Sequence, residues 1–334
     1  ELWTLFKELS LAEFKKYYAE LGIDFDSWHG EAFYNDKMDS VVEKLKKKNL
    51  LTLSEGAKVV EVGEDMPPAL VVKSDGATMY MTRDLAAASY RLNEYKPAKL
   101  LYVVGSPQKL HFRQLFKILE MMKERKCEMK HVDFGHYLGM KTREGNIIFL
   151  EEVLDKAVEL AKKIIKEKNP DLSDKEEVAK AVGIGAIIFG DLINDRVRDM
   201  EFSWDRMLSF EGETGPYVQY AHARICSILR KHGKEVDSKA DCKVLTEDIE
   251  KELVKKIYAF KQVVVDSAES YKPHLIAHYL VELGQTFNTF YTQCPVLKAE
   301  NKKLAGARLL LCDATRQVLA NGLFLLGMKA PEEM

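Results

Sequence analysis

The sequence predicts an α/β region followed by an all-α region. Short β-rich runs alternate with amphipathic helical stretches between about residues 50 and 150, which is the pattern of an open sheet with parallel strands. From about residue 151 helical periodicity takes over and β signals become scarce. A charged, proline-bearing stretch, EKNPDLSDKEE, separates the two textures, so the expected domains are 1–174 and 175–334, with Ser173 as the expected helix cap.

Each element follows from local pattern. ELWTLFKELSLAEFKKYYAELGI has apolar residues at helical spacing from its second residue, with neither an initiator methionine nor a capping residue ahead of it, so the chain reads as a fragment. The helical stretch that follows ends near residue 50 in KLKKKN. AKVVEVG and PPALVVKSDGATMYMT are β-rich and bounded by Gly and Pro, and RDLAAASYRLNEY has the alanine content of a helix. KLLYVVG reads as a strand, SPQ as a turn, KLHFRQLFKILEMMKER as an amphipathic helix and KHVDFGHYLGM as another strand. There is no internal repeat.

Composition narrows the function classes. A chain of 334 residues, 46% hydrophobic, can bury one large core or two ordinary ones. A net charge of −2 gives no global basic signature, so a polyanionic partner must be met by local patches. The five cysteines, at 127, 226, 242, 294 and 312, form no CxxC pair, which speaks for free thiols in a reducing compartment. No stretch approaches the roughly 18 apolar residues of a membrane span, and nothing at the start resembles a secretory signal. The expected location is cytoplasmic, with no membrane partner.

In an open parallel sheet, ligands sit beyond the carboxyl ends of the strands. Three such ends carry candidate side chains. Tyr80 is expected to end the strand ATMYMT and Asp84 to open the next helix, where the carboxylate either pairs with a cationic ligand or caps the helix. Gln108 and His111 follow the next strand and can hydrogen-bond a ligand without fixed charge, or serve as capping and surface residues. The stretch HYLGMKTREGN, two glycines around a cationic segment, reads either as a solvated hairpin tip or as a lid over phosphates. No G-x-G-x-x-G follows a strand and no G-x-x-x-x-G-K-[ST] is present, which argues against a nicotinamide site and a P-loop. His274 and His278 are spaced i, i+4, but no acidic residue stands in the metalloprotease position between them, and no tightly bound metal is expected.

Taken together, SDGATMYMTRDLAAASYRL, LLYVVGSPQKLHF, HVDFGHYLGMKTREGN and SFEGETGPYVQYAHARICSILR resemble arginyl-tRNA synthetase, a class I aminoacyl-tRNA synthetase, in order and over essentially the whole chain. The resemblance implies the second half of a Rossmann-like catalytic domain over 1–174, with the signature loop at 139–146, followed by a helical anticodon-binding domain over 175–334. It implies a ligase that activates arginine with ATP, supported by Mg2+, and esterifies it to arginine tRNA. By position, Tyr80, Asp84 and Gln108 match arginine-recognising residues; His111, Gly139 and Met140 match residues near ATP; and Lys141 and Arg143 match the loop's phosphate contacts. A carboxylate opposite a guanidinium would reject lysine, whose point charge cannot make the paired bonds. Tyr217, Tyr291 and Met334 match positions at the anticodon loop, where splayed bases stack on aromatic rings. Read without the resemblance, both tyrosines are more simply core aromatics; Arg224, expected to bind tRNA, and with it Arg230 and Lys231 line the path of the RNA backbone or, more simply, form a solvated helix face.

Two departures qualify the match. Glu144 stands where the loop's second lysine is usual, leaving Lys141 and Arg143 to meet phosphate. The first class I signature, His-x-Gly-His, is absent: the His-Gly pairs fall at His29 and His232 in other contexts. The expectation is therefore a chain that cannot form arginyl-adenylate alone. The alternatives are a non-catalytic tRNA-binding module and an interaction module that joins other synthetases in a complex.

Overall fold

The computed structural model describes residues 2–138, 149–201 and 212–334. The chain divides into two compact units, Phe25–His136 and Glu1–Asp24 together with Tyr137–Met334. Helix α1 (Leu2–Glu20) belongs to the second of these.

The Phe25–His136 unit opens with a 3-10 turn and α2 (Met38–Lys47). Three short strands follow: β1 (Thr52–Ser54), β2 (Ala57–Val60) and β3 (Ala69–Val72). They form an antiparallel sheet in the order β1-β2-β3. Its first reversal is a two-residue turn with both φ angles positive, Glu55 at 48° and Gly56 at 79°, the geometry that matches strand twist. Next come α3 (Tyr80–Glu94), β4 (Lys99–Gly105), α4 (Lys109–Met121) and β5 (Glu128–Phe134). β4 and β5 pair in parallel from Lys99↔Glu128 to Gly105↔Phe134, with α4 as the crossover that parallel strands require. Leu45, Leu85, Leu115, Ile118 and Met122 build the core between helices and sheets. Tyr102 on β4 packs its ring 4.9 Å from Phe112 of α4, while Leu101 and Val103 point to the other, exposed face.

The strand expected over ATMYMT does not form. β3 ends at Val72, and the chain reverses at Asp75–Gly76, with Gly76 at φ 86° and Ala77 N–H donating to Asp75 Oδ1. Thr78 makes only a single antiparallel bridge to Val72, and Tyr80 begins α3 instead of ending a strand. The cause is the Asp-Gly turn inside an apparently continuous β-rich run. The strands before α3 are accordingly antiparallel, and the parallel pairing begins only at β4.

The larger unit continues through β6 (Tyr137–Leu138), α5 (Leu150–Lys168), α6 (Lys175–Leu192) and β7 (Met200–Glu201), with β6 and β7 paired in parallel. Four helices follow: α7 (Gly215–His232), α8 (Asp248–Ser270), α9 (His274–Gln293) and α10 (Lys302–Leu325). The 174/175 boundary falls between α5 and α6, which cross closely inside this one unit. A Cβ at Gly183 would lie 2.7 Å from the Val158 backbone, so only glycine permits that approach. Asp174, not Ser173, holds the N-cap position of α6, without a capping hydrogen bond from its side chain, and the Ser173 hydroxyl turns to the Asp174 carboxylate. Phe189, Ile225, Leu253, Leu280, Phe287 and Phe290 form the core of the α6–α10 layer. Within it the guanidinium of Arg308 donates from Nε to Glu250 Oε1 at 2.7 Å, both side chains buried. α1 buries none of its residues; Lys16–Glu151 and Lys180–Glu20 ion pairs tie it to α5 and α6, and Leu2, Trp3, Phe6 and Leu9 remain exposed. Among the described residues no helix is long and apolar enough to cross a membrane.

Candidate functional site

In the Phe25–His136 unit the first turns of α3 and α4 face each other. Met79 precedes α3 in extended conformation, and Thr82, fully buried, donates its hydroxyl to Val71 O at 2.5 Å, which pins the start of α3 to β3. Asp84 thus lies one turn inside the helix and caps nothing. Its Oδ2 instead accepts from His111 Nε2 at 2.7 Å. A carboxylate can only accept, so Nε2 carries the proton in this contact. Asp84 stays partly open, its side chain 39% exposed, and can accept further donors. Gln108, the residue before α4, is exposed and three positions from His111. Tyr80, one turn before Asp84, is 70% exposed.

Deeper in this unit Arg91 of α3 lies between two phenol rings, 5.4 Å from Tyr34 and 5.7 Å from Tyr102. Burial pushes the Tyr102 phenol up, against the pull of the Arg91 cation. Arg91, still a full cation, is thus faced by two phenol rings. Among the described residues, the side-chain hydrogen-bond partner of Asp84 is His111. This arrangement suits a planar cationic ligand that needs one carboxylate and neutral hydrogen-bonding neighbours.

The helical unit offers a second site. A groove of about 780 Å³ is lined by Tyr220, Arg224, Tyr291, Lys298 and Met334, with Arg230 and Lys231 at its margin. Thr214 caps α7 by accepting from Tyr217 N–H, and Gly215 admits a close approach: a Cβ there would meet Gly185 O at 2.8 Å. This sets the rotation of α7. Residues 217, 220 and 224 then share one side of the helix, at i, i+3 and i+7. Tyr220 and Tyr291 are 40% and 42% exposed, and the Arg224 guanidinium lies 4.8 Å and 5.9 Å from their ring centroids. Tyr217 is different. It packs partly buried against the helical core, close to Gly284 of α9, and its hydroxyl accepts from Asn288 at 2.9 Å. It lines an adjoining cavity of about 450 Å³ together with Met334.

The final segment lies along α7. Gln219 donates to Lys329 O, His222 Nδ1 donates to Pro331 O at 2.9 Å, and Arg230 pairs with Glu333. Asn169, at the end of α5, donates to Met334 O, and the Met334 side chain packs against the small cluster around Ile165 and Leu172. Burial holds the His222 imidazole below its ordinary pKa.

The structure thus joins Asp84 and His111 directly and places Gln108 and Tyr80 on the flanking turns. It assembles Arg224, Tyr291 and Met334 around one groove. Gly139, Met140, Lys141 and Arg143 lie outside the described residues. Sequence reasoning missed Tyr220 and Asn288; the i, i+3, i+7 spacing of 217, 220 and 224 was the available signal for the first.

Residues 1–204 match the family described as tRNA synthetases class I (R), catalytic domain. The chain belongs to the arginyl-tRNA synthetase family. Residues 218–334 match the DALR anticodon binding domain. Arginine–tRNA ligase of Clostridium perfringens is 50% identical over 340 residues, and that of Halothermothrix orenii 48% identical over the same span. All of this chain is covered, and it spans 60% of the length of each of these two relatives. Among solved structures, arginyl-tRNA synthetase from Plasmodium falciparum superposes with a TM-score of 0.87 at 30% identity, covering 100% of this chain and 58% of that one. The Thermus thermophilus arginyl-tRNA synthetase gives 0.85 at 27% identity, covering 95% and 61%. The class I synthetase catalytic fold followed by a helical anticodon domain, expected from the sequence, is what these arginyl-tRNA synthetase matches have in common.

Proposed function

We propose that this chain supplies arginine recognition and tRNA binding to an arginine–tRNA ligase, with ATP, arginine and arginine tRNA as substrates and the cytoplasm as its location. The observation that carries the proposal is Asp84: a helix residue free of capping duty, its side chain 39% exposed, hydrogen-bonded to His111. In this reading Asp84 accepts the substrate guanidinium, and Tyr80 and Gln108 flank it. His111 orients the carboxylate. Magnesium enters as the companion of ATP, and no side chain described here is assigned to it, since no group of three ligating residues converges among them. His111, Gly139 and Met140 are also proposed to lie near ATP, and Lys141 and Arg143 to meet its phosphates, stabilising charge as adenylate forms.

The helical unit is proposed to read the anticodon loop. The groove sets two exposed tyrosine rings and a guanidinium beside further cations, the chemistry that suits unstacked bases and their phosphates. Tyr220, Tyr291 and Arg224 form the stacking surface, Tyr217 supports it from below and Met334 closes one end.

The test separates the two halves of the proposal. Arginine-dependent ATP–pyrophosphate exchange by the 334-residue chain alone is expected to stay at background, and exchange above background overturns that expectation. Binding to arginine tRNA is expected to exceed binding to the same tRNA with an altered anticodon by several-fold, and to do so at raised salt. Equal, steeply salt-dependent binding to both would leave only phosphate attraction and remove the anticodon reading. The groove also favours a second reading, in which the chain binds tRNA without catalysis; retained tRNA preference with no exchange is its signature.

A further inference from the structure

We propose that Asn288 is a positioning residue for anticodon discrimination: it fixes the Arg224 guanidinium beside the rings of Tyr220 and Tyr291. The inference rests on the anticodon reading of the groove and adds to it the residue that makes the groove selective.

The geometry is specific about which end of the amide faces which neighbour. Arg224 Nη1 donates to Asn288 Oδ1 at 2.9 Å. A guanidinium has donors only, so the oxygen of the amide must face it. Asn288 Nδ2 then faces Tyr217, whose hydroxyl it meets at 2.9 Å. Tyr217 is itself held by the α9 backbone near Gly284, where a Cβ would lie 3.2 Å from its ring. The order of support is therefore core to Tyr217, Tyr217 to Asn288, and Asn288 to Arg224. The second guanidinium nitrogen, Nη2, donates to Tyr220 OH at 3.2 Å. Arg224 is consequently fixed through two of its nitrogens, with its guanidinium carbon 4.8 Å and 5.9 Å from the centroids of the exposed Tyr220 and Tyr291 rings.

This matters because a loose arginine and a fixed one do different things to RNA. A mobile guanidinium on a surface helix attracts any phosphate, which adds affinity without sequence information. A guanidinium held by two hydrogen bonds beside two rings presents its remaining donors at defined positions to a base edge, and a base that cannot accept them leaves them unpaired. Asn288 carries no charge and is partly covered, so its effect should appear in selectivity and leave electrostatic affinity unchanged.

The experiment is a binding titration of the 334-residue chain with arginine tRNA and with single-base anticodon variants of it, over a salt series. Asn288→Ala is expected to lower the ratio of the two affinities on the order of fivefold, the worth of a hydrogen bond or two. The slope of log affinity against log salt should stay as in the parent chain, because no cation is lost. Asn288→Asp, which keeps the acceptor for Arg224, should retain most of the ratio. The double variant Asn288→Ala/Arg224→Ala should discriminate no worse than Arg224→Ala alone, since both act through one group. The ratio divides out any unfolded fraction, so partial destabilisation does not mimic the result. An unchanged ratio in Asn288→Ala overturns the proposal, as does a double variant in which the two losses multiply. If Arg224→Ala itself leaves the ratio intact, the anticodon reading falls, and this inference with it.

Discussion

Asp84 Oδ2 and His111 Nε2 lie 2.7 Å apart and join two helices through residues 27 positions apart in sequence. The contact explains why a carboxylate inside a helix needs neither a capping role nor a cation. It also predicts unequal effects of substitution. In a ligase of full relative length carrying this segment, Asp84→Asn should raise KM for arginine by about 30-fold or more, since it removes one partner of a charge-assisted pair. His111→Ala, which only frees the carboxylate to rotate, should cost about tenfold or less. ATP–pyrophosphate exchange at varied arginine measures both, and equal losses would place His111 on the substrate itself.

The exposed rings lead to a different ordering from the one the sequence suggested. Tyr220→Ala should weaken binding to arginine tRNA by about 1–3 kcal/mol, and Tyr220→Phe should retain most of it, because stacking uses the ring face. Tyr217→Phe should cost less affinity than Tyr220→Ala, since its hydroxyl acts only through Asn288. Filter binding of the three variants decides the order. A Tyr220→Ala variant with unchanged affinity would return the contact to Tyr217.

Within the helical core, Arg308 and Glu250 form an ion pair with side chains 8% and 0% exposed. Arg308 also donates to Pro295 O, and Glu250 accepts from the Glu247 N–H at the start of α8. Arg308→Met strands a buried carboxylate and should cost about 3–5 kcal/mol in urea unfolding. The double variant Arg308→Met/Glu250→Met should recover much of that loss, as apolar replacements of buried pairs do. A double variant as unstable as the single one would show that the backbone hydrogen bonds carry the stability.

His222 supplies a pH dependence. Burial, followed in effect by nearby Arg316, holds its pKa down despite the bond to Pro331 O and the pull of Glu332. The unfolded chain then binds more protons than the folded one once pH falls below about 6.5, so stability is full above that value and declines as pH drops toward the lower folded pKa. Melting followed by circular dichroism from pH 7.5 to 5 should show this decline. His222→Asn, whose amide N–H can replace the Nδ1–H donor to the final segment, should flatten it. A slope unchanged by the substitution would assign the effect to other groups, His274 among them, whose imidazole is also lowered by burial.

The alternation of short apolar runs with helical stretches was enough for an α/β region followed by a helical one, because both periodicities are properties of neighbouring residues. The same local pattern marked Asp84 and His111 as candidates, whereas the role of Tyr291 came through the family resemblance and Arg224 read more simply as part of a solvated face. What lay beyond it were one local turn misread as strand and the decisions made by contacts distant in sequence. A single Asp-Gly turn at 75–76 converted an expected parallel strand into an antiparallel reversal and moved Tyr80 onto a helix. Asp84 found its partner on another helix, and Tyr217 was drawn into the core by α9, near Gly284. Tyr220, three residues along the same helix, was left to the groove. Both tyrosines read alike in the sequence, since one aromatic ring buries as well as another. Only the packing of α7 against α9 determined which ring was sheltered and which faced solvent, because burial depends on what covers a side chain and not on what precedes it.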